Sequence, residues 1–300
     1  MPTSHNLDLQ REMARVADAI DTQFDLLLAV PDDARAQLFE TMRYAAIGGG
    51  KRLRPLLLMA TSRLFNVDDG CALRAATALE ALHVYSLIHD DLPCMDDDDI
   101  RRGKPAAHRA YGEAQAVLAG DALHALAFEL LADENAHSDP FVRAEMVACL
   151  AKAAGASGMA GGQMMDIVAE TTTFDLPTVT RLQQLKTGAL ISASVEIGAI
   201  LGRVAVEGRK GLRGYAHDLG LAFQIADDIL DVEGDEELAG KTLHKDEAAG
   251  KQTFLSLMGL DRAREQAQML VDQAKSHLKG YGAEADLLRA IAEYTVQRNR

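Results

Sequence analysis

Apolar residues recur at three- and four-residue spacings along almost the whole chain, the period of amphipathic helices. The pattern runs from Leu7 to Val30, where Pro31 stops it, and resumes from Asp33 to Ile47 before the run Gly48-Gly49-Gly50. Pro55 to Phe65 predicts a short apolar helix. Leu73 to Leu92 predicts a long one, ended by Pro93. After a polar loop reaching Pro105, helices are predicted over His108–Ala132, Pro140–Ala154, Ala156–Ala169, Pro177 to about Gly202, Lys210–Val232, Lys251–Leu278 and Ala283–Val296. No segment alternates at period two long enough to predict a strand, and no fixed-period repeat or Pro/Ser linker divides the chain. The expectation is an all-α fold, a single-domain helical bundle over residues 1–300.

Composition agrees. Hydrophobic residues make up 48% of the 300 and Trp is absent, which favours helices over β-branched strands. The formal net charge of −14 argues against nucleic-acid partners, which need a basic face. It leaves phosphate ligands open, because a local basic cluster or a bound cation can reverse the local field. Three cysteines with no C-x-x-C read as reduced thiols, and with them a cytoplasmic location. Met1 to Gln10 is polar and lacks a signal-peptide core. Ala189 to Gly202, broken by Glu196, is taken as the longest weakly charged stretch and is too short to span a bilayer, so no membrane span is expected.

Two aspartate clusters change the picture. The first, Asp90-Asp91-Leu92-Pro93-Cys94-Met95-Asp96 with Asp97 to Asp99 behind it, sits at the C-terminal end of an apolar helix. Carboxylates there oppose the helix dipole and repel one another, and a divalent cation would offset both. In the second, Asp227-Asp228-Ile229-Leu230-Asp231, Asp227 and Asp231 share one helix face, their Cβ atoms about 5–6 Å apart. They lie among Phe223, Ile225, Ile229 and Leu230, where unpaired charge is costly. Asp97 to Asp99 read as a solvated surface run. Oxygen donors suit magnesium, which takes few carboxylates and shares substrate phosphates. His89 beside Asp90 raises zinc or iron, but the di-iron reading, which needs Glu-x-x-His motifs on facing helices, is set below magnesium.

Cation sets match the clusters. Gly48-Gly49-Gly50-Lys51-Arg52-Leu53-Arg54-Pro55 places glycines and three cations at a helix start, where anions are favoured, although it is not a P-loop. Arg101-Arg102 follows the first aspartate cluster, and arginine forks suit phosphate oxygens. Lys186-Thr187-Gly188 interrupts an apolar helix, and Lys241, Lys245 and Lys251 follow the second cluster. Together they describe a metal-bridged diphosphate between carboxylates and a second anion held by Lys and Arg.

These residues resemble the trans-prenyl diphosphate synthases, the family of farnesyl and geranylgeranyl diphosphate synthases. Gly-Gly-Lys-Arg-Leu-Arg-Pro at 49–55, Asp-Asp-x-x-x-x-Asp at 90–96 with Arg101-Arg102, Gly-Gly-Gln at 161–163, Lys186-Thr187, and Phe223-Gln224-x-x-Asp-Asp-x-x-Asp ending at 231 occur in the family's order. The resemblance covers Gly49 to about Thr253. It implies a helical bundle of the isoprenoid synthase type, roughly ten or more helices around a central cavity.

It further implies a magnesium-dependent condensation of isopentenyl diphosphate with an allylic diphosphate. Asp90, Asp96 and Asp227 would ligate two or three magnesium ions, supported by Asp91, Asp228 and Asp231. Arg101, Lys186 and Lys241 would contact the allylic diphosphate, with Gln224 near that substrate; Lys51, Arg54, His83 and Arg102 would bind isopentenyl diphosphate. Gln163 and the carbonyl near Thr187 would face the allylic cation. Tyr85 and Ser86, five and four residues before Asp90, would form the tunnel floor, and with the Pro93-Cys94 insertion they point to a fifteen-carbon product. His244 departs from the smaller residue expected after Lys241. A homodimer is implied. The alternatives are a geranylgeranyl diphosphate synthase, a non-catalytic regulatory subunit and a terpene cyclase.

Overall fold

The computed structural model describes residues 4–233 and 252–297. Helices dominate: α1 (Ser4–Leu27), α2 (Ala36–Ala46), α3 (Leu53–Arg63) and α4 (Asp69–Asp90) come first. α4 is apolar all round, with Ala75, Ala76, Ala78, Leu79, Ala81 and Leu82 buried, which places it at the centre of the bundle. Its start is set by Asp68, whose side chain accepts from the backbone N–H of Gly70 at 2.9 Å and of Cys71 at 3.1 Å.

Beyond α4 the chain makes a small antiparallel hairpin, β1 (Ile100–Arg101) and β2 (Lys104–Pro105), with Arg101 opposite Lys104. Two-residue strands are too short to leave a period in the sequence, and the all-α expectation stands. The helix expected over His108–Ala132 divides into α5 (Ala107–Tyr111) and α6 (Glu113–Ala132) at Gly112, whose φ of 103° breaks the helical run. α6 lies along α4. It, rather than Ala189–Gly202, is the one described helix long and apolar enough, by length and composition, to cross a membrane.

α7 (Pro140–Ala154) has the predicted bounds, opening with Pro140 in its first turn, and Asp139 caps it by accepting from Phe141 N–H. α8 (Met159–Ala169) begins three residues later than expected. The helix predicted from Pro177 to Gly202 is α9 (Leu176–Gln183), a π-helical turn over Gln184–Gly188 and α10 (Ala189–Leu201). A 3-10 turn over Val206–Arg209 leads into α11 (Lys210–Glu233). After residue 251 the chain forms α12 (Phe254–Met258), α13 (Leu260–His277) and, behind a 3-10 turn, α14 (Asp286–Gln297). Gly259 separates α12 from α13, where one helix is predicted. α3, α4, α10 and α11 supply much of one continuous apolar core. At about 25 cal/mol per Å² of apolar surface removed from water, that burial is the dominant stabilising term.

Candidate active site

Asp90 is the last residue of α4. The Pro93-Cys94 segment winds into a tight turn in which Asp96 N–H donates to Asp90 C=O at 2.8 Å and Met95 N–H to Leu92 C=O at 2.9 Å. Burial, with the Asp96 and Asp91 charges adding to it, pushes the Asp90 carboxyl up to about 6, against a pull from Lys186 and Arg101. A carboxylate kept ionised there at neutral pH calls for a cation beside it, which fits a hard divalent metal on oxygen donors.

Asp91 has a different task. It is 1% exposed and receives the Arg101 guanidinium in a fork, with Nε at 2.9 Å from Oδ1 and Nη2 also on Oδ1. Arg101 also reaches Asp98 at 3.1 Å, so Asp98 is part of the site rather than of a solvated run. Asp97 and Asp99 are exposed, as expected, and pair with Arg109.

Arg54, His83, Tyr85, Ser86, Asp90, Gln163, Lys186 and Thr187 line a single cavity of about 540 Å³. Lys186 and Thr187 stand on the π-helical turn, where the irregular ladder re-aims backbone carbonyls. Lys186 Nζ donates to Asp166 of α8 at 2.8 Å. Burial works against the Lys186 charge, but Asp166, Asp90 and Asp96 outweigh it and raise its pKa. Gly162 explains the Gly-Gly-Gln motif: a Cβ there would stand 2.2 Å from the Lys186 backbone nitrogen, so only glycine lets α8 cross the π turn this closely. Gln163 follows at the cavity wall, and its buried Nε2 has no hydrogen-bond partner among the described residues. Also on the cavity wall, the Tyr85 ring meets His89 edge-on at 5.0 Å and His124 at 4.8 Å, and His124 leans on Phe128.

A second, adjoining cavity of about 240 Å³ is lined by Lys51, Arg52, Arg54, His83, Arg101 and Arg102 with Glu80. Arg54 Nη1 donates to His83 Nε2 at 3.2 Å. Burial, then the neighbouring Arg54 and Arg102, hold His83 well below its ordinary pKa, so it is neutral. Burial likewise lowers Arg54 and Arg102, while Glu80 pulls both back up.

From α11, Asp227 acts on Arg54 electrostatically; Asp227, Asp231 and Gln224 are half-buried and line neither cavity. Asp228 is buried, and its Oδ2 accepts from Phe254 N–H at 2.8 Å, tying α11 to the start of α12. Lys241 and His244, with Lys245 and Lys251, lie outside the described residues.

Two residues of the site, Glu80 and Asp166, are not singled out by the sequence. Glu80 stands three before His83, so a Glu-x-x-His spacing is present there, contrary to the reading that the chain lacks one; in the fold the carboxylate is paired with Arg52 and Arg102, and His83 meets Arg54, an anion-pocket setting. Asp166 carries no motif that marks it in isolation.

Residues 35–293 match the polyprenyl synthetase family. The farnesyl diphosphate synthase of Escherichia coli is 46% identical over 271 residues, covering 87% of this chain and 89% of that protein. A chloroplastic geranylgeranyl pyrophosphate synthase of Arabidopsis thaliana is 41% identical over 304 residues, covering 98% of this chain and 83% of its own. Among solved structures, an FPP/GFPP synthase from Zymomonas mobilis superposes with a TM-score of 0.89 at 57% identity, covering 97% of this chain and 99% of that one.

Proposed function

The chain belongs to the polyprenyl synthetase family, and from that premise we propose that it condenses isopentenyl diphosphate head-to-tail with an allylic diphosphate to give farnesyl diphosphate. The observation that carries the reading is the pair of adjoining cavities. One is lined by Asp90 and Lys186 together with apolar residues such as Met159, Met164 and Ile167; the other is rimmed by arginines.

The allylic diphosphate lies between Asp90, Asp96 and Asp227, which would hold two or three magnesium ions, and Lys186. Magnesium supplies Lewis-acid neutralisation of the diphosphate charge. Lys186, and Arg101 held in place by Asp91, stabilise negative charge gathering on the departing diphosphate. The C–O bond to the allylic carbon breaks, the isopentenyl double bond attacks that carbon, and a proton leaves to the diphosphate just released. Gln163 and the carbonyls of the π turn face the intermediate cation with partial negative charge. Apolar walls such as Met159, Met164 and Ile167 keep water from quenching it. Lys51, Arg54, neutral His83 and Arg102 hold the isopentenyl diphosphate.

Product length is set by the aromatic floor. Tyr85, backed by His124 and Phe128, closes the cavity below Asp90 and supports a fifteen-carbon limit, with Ser86 beside it. Relatives making longer chains keep the geranylgeranyl reading as the alternative. The continuous core supports a single domain over residues 1–300, and the exposed Val117 and Leu118 on α6 support a homodimer. A cytoplasmic location goes with the unpaired cysteines.

The test is purified protein with magnesium, labelled isopentenyl diphosphate and geranyl diphosphate. Chelator-sensitive incorporation of label into a prenyl diphosphate is expected, and Lys186→Ala should raise KM for the allylic substrate while Arg54→Ala raises it for isopentenyl diphosphate. No incorporation with any allylic partner would favour the regulatory-subunit reading.

A further inference from the structure

The arginine-rimmed cavity contains one carboxylate among its described lining residues, and it is an unexpected one. Glu80 lies midway along α4, is 1% exposed, and points at cations from both sides of the cavity wall. Its Oε1 is 2.5 Å from Arg52 Nη1 and 3.5 Å from Arg102 Nη2. Arg52 is itself 3% exposed and is fixed a second time by Asp21 at 2.6 Å and by the Ala46 carbonyl. Arg52 is therefore a buried strut. Arg102, with 19% of its side chain exposed, is the member that reaches the cavity.

Two independent features show that the position of Arg102 is built rather than incidental. The first is a seat. A Cβ on Gly49 would stand 2.6 Å from Arg102 Cδ, and one on Gly50 would stand 2.7 Å from its Nη2, so the glycine backbone is where the side chain rests. The second is the turn. Arg102 (φ 54°) and Gly103 (φ 74°) are the two residues of the tight loop between β1 and β2, a turn that needs left-handed backbone at both positions, so the hairpin fixes where the Arg102 side chain leaves the chain.

We propose that Glu80 is a positioning residue of the isopentenyl diphosphate pocket, holding the Arg102 guanidinium against its glycine seat before the anion arrives. This rests on the reading of the arginine-rimmed cavity as that pocket. The role has a sign that separates it from simple charge balance. By Coulomb attraction alone, deleting a negative charge from an anion pocket tightens anion binding. Releasing a pre-set guanidinium loosens it, because its ordering must then come out of the binding energy.

Glu80→Gln keeps the shape and removes the charge. Steady-state kinetics should show KM for isopentenyl diphosphate rising about tenfold, with KM for the allylic substrate and kcat within about twofold of wild type. In an Arg102→Lys background the same substitution should add less than about threefold, because the two act as one unit. A folded Glu80→Gln protein with unchanged or lower KM for isopentenyl diphosphate overturns the proposal, as does a full additive effect in the Arg102→Lys background. If loss of the Arg52 partner prevents folding, Glu80→Asp retains the charge one methylene short and should give an intermediate KM; wild-type kinetics in that variant count against the proposal. Calorimetric titration with inorganic diphosphate reads the same seat without turnover. Weaker binding by Glu80→Gln sustains the positioning role even if the wild type consumes no isopentenyl diphosphate, in which case the reaction assignment alone falls.

Discussion

Asp90 shows how one side chain links charge, stability and metal. Its folded pKa of about 6 lies above the ordinary 3.8, so the folded protein holds a proton that the unfolded chain releases. The favourable contribution is fully present below about pH 4 and is lost as pH rises through 6. In metal-free protein at pH 7.5 the ionised carboxylate is therefore a liability of about 2–3 kcal/mol. Asp90→Asn should raise the thermal midpoint of the metal-free protein at pH 7.5, lose that advantage near pH 4, and lower kcat by about 10²-fold or more. Thermal scans at both pH values and one rate assay check this. Tyr85 makes the second residue-scale prediction. Tyr85→Ala removes the ring that meets His89 and His124, so products should lengthen until the His124–Phe128 pair stops them. An unchanged product mass would sink the tunnel-floor account.

At the scale of elements, the crossing of α8 with the π turn is the joint on which Lys186 depends. Gly162→Ala forces a methyl into the Lys186 backbone, which cannot swing aside as a side chain end would. Overpacking of this kind costs about 1–3 kcal/mol, and the displaced Lys186 should lower kcat by about tenfold or more. A normal rate in a folded variant would mean that the crossing is slack. Elements also show what the sequence made legible. The long helices and both aspartate motifs were readable because apolar period and charge in apolar company are local signals. The π turn was not, since one extra residue per turn leaves no mark in a five-residue stretch. Glu80 was hidden for a related reason: its partners Arg52 and Arg102 are 28 and 22 residues away, and only the fold brings them to one wall. Asp91 and Asp228 stand in the aspartate motifs, yet they serve as an arginine fork and a tie to α12, because each is the more buried aspartate of its adjacent pair and finds its partner inside the fold.

For the whole molecule, the net charge of −14 and a diphosphate-binding centre are reconciled by segregation. Arginines gather around one cavity, and the carboxylate that lines it, Glu80, is paired with Arg52 and Arg102. Removal of divalent metal should abolish turnover without unfolding the chain, since the core is apolar and independent of the site. Circular dichroism beside the rate assay checks both halves of that statement. With two diphosphates held in adjoining cavities and the tunnel closed at Tyr85, geranyl diphosphate should be extended by five carbons and no further. The mass of the product formed from geranyl diphosphate and isopentenyl diphosphate in magnesium reads this directly. Farnesyl diphosphate is expected as the single main product, with no signal after chelation; a ladder of longer prenyl diphosphates, or no condensation product at all, would overturn the assignment.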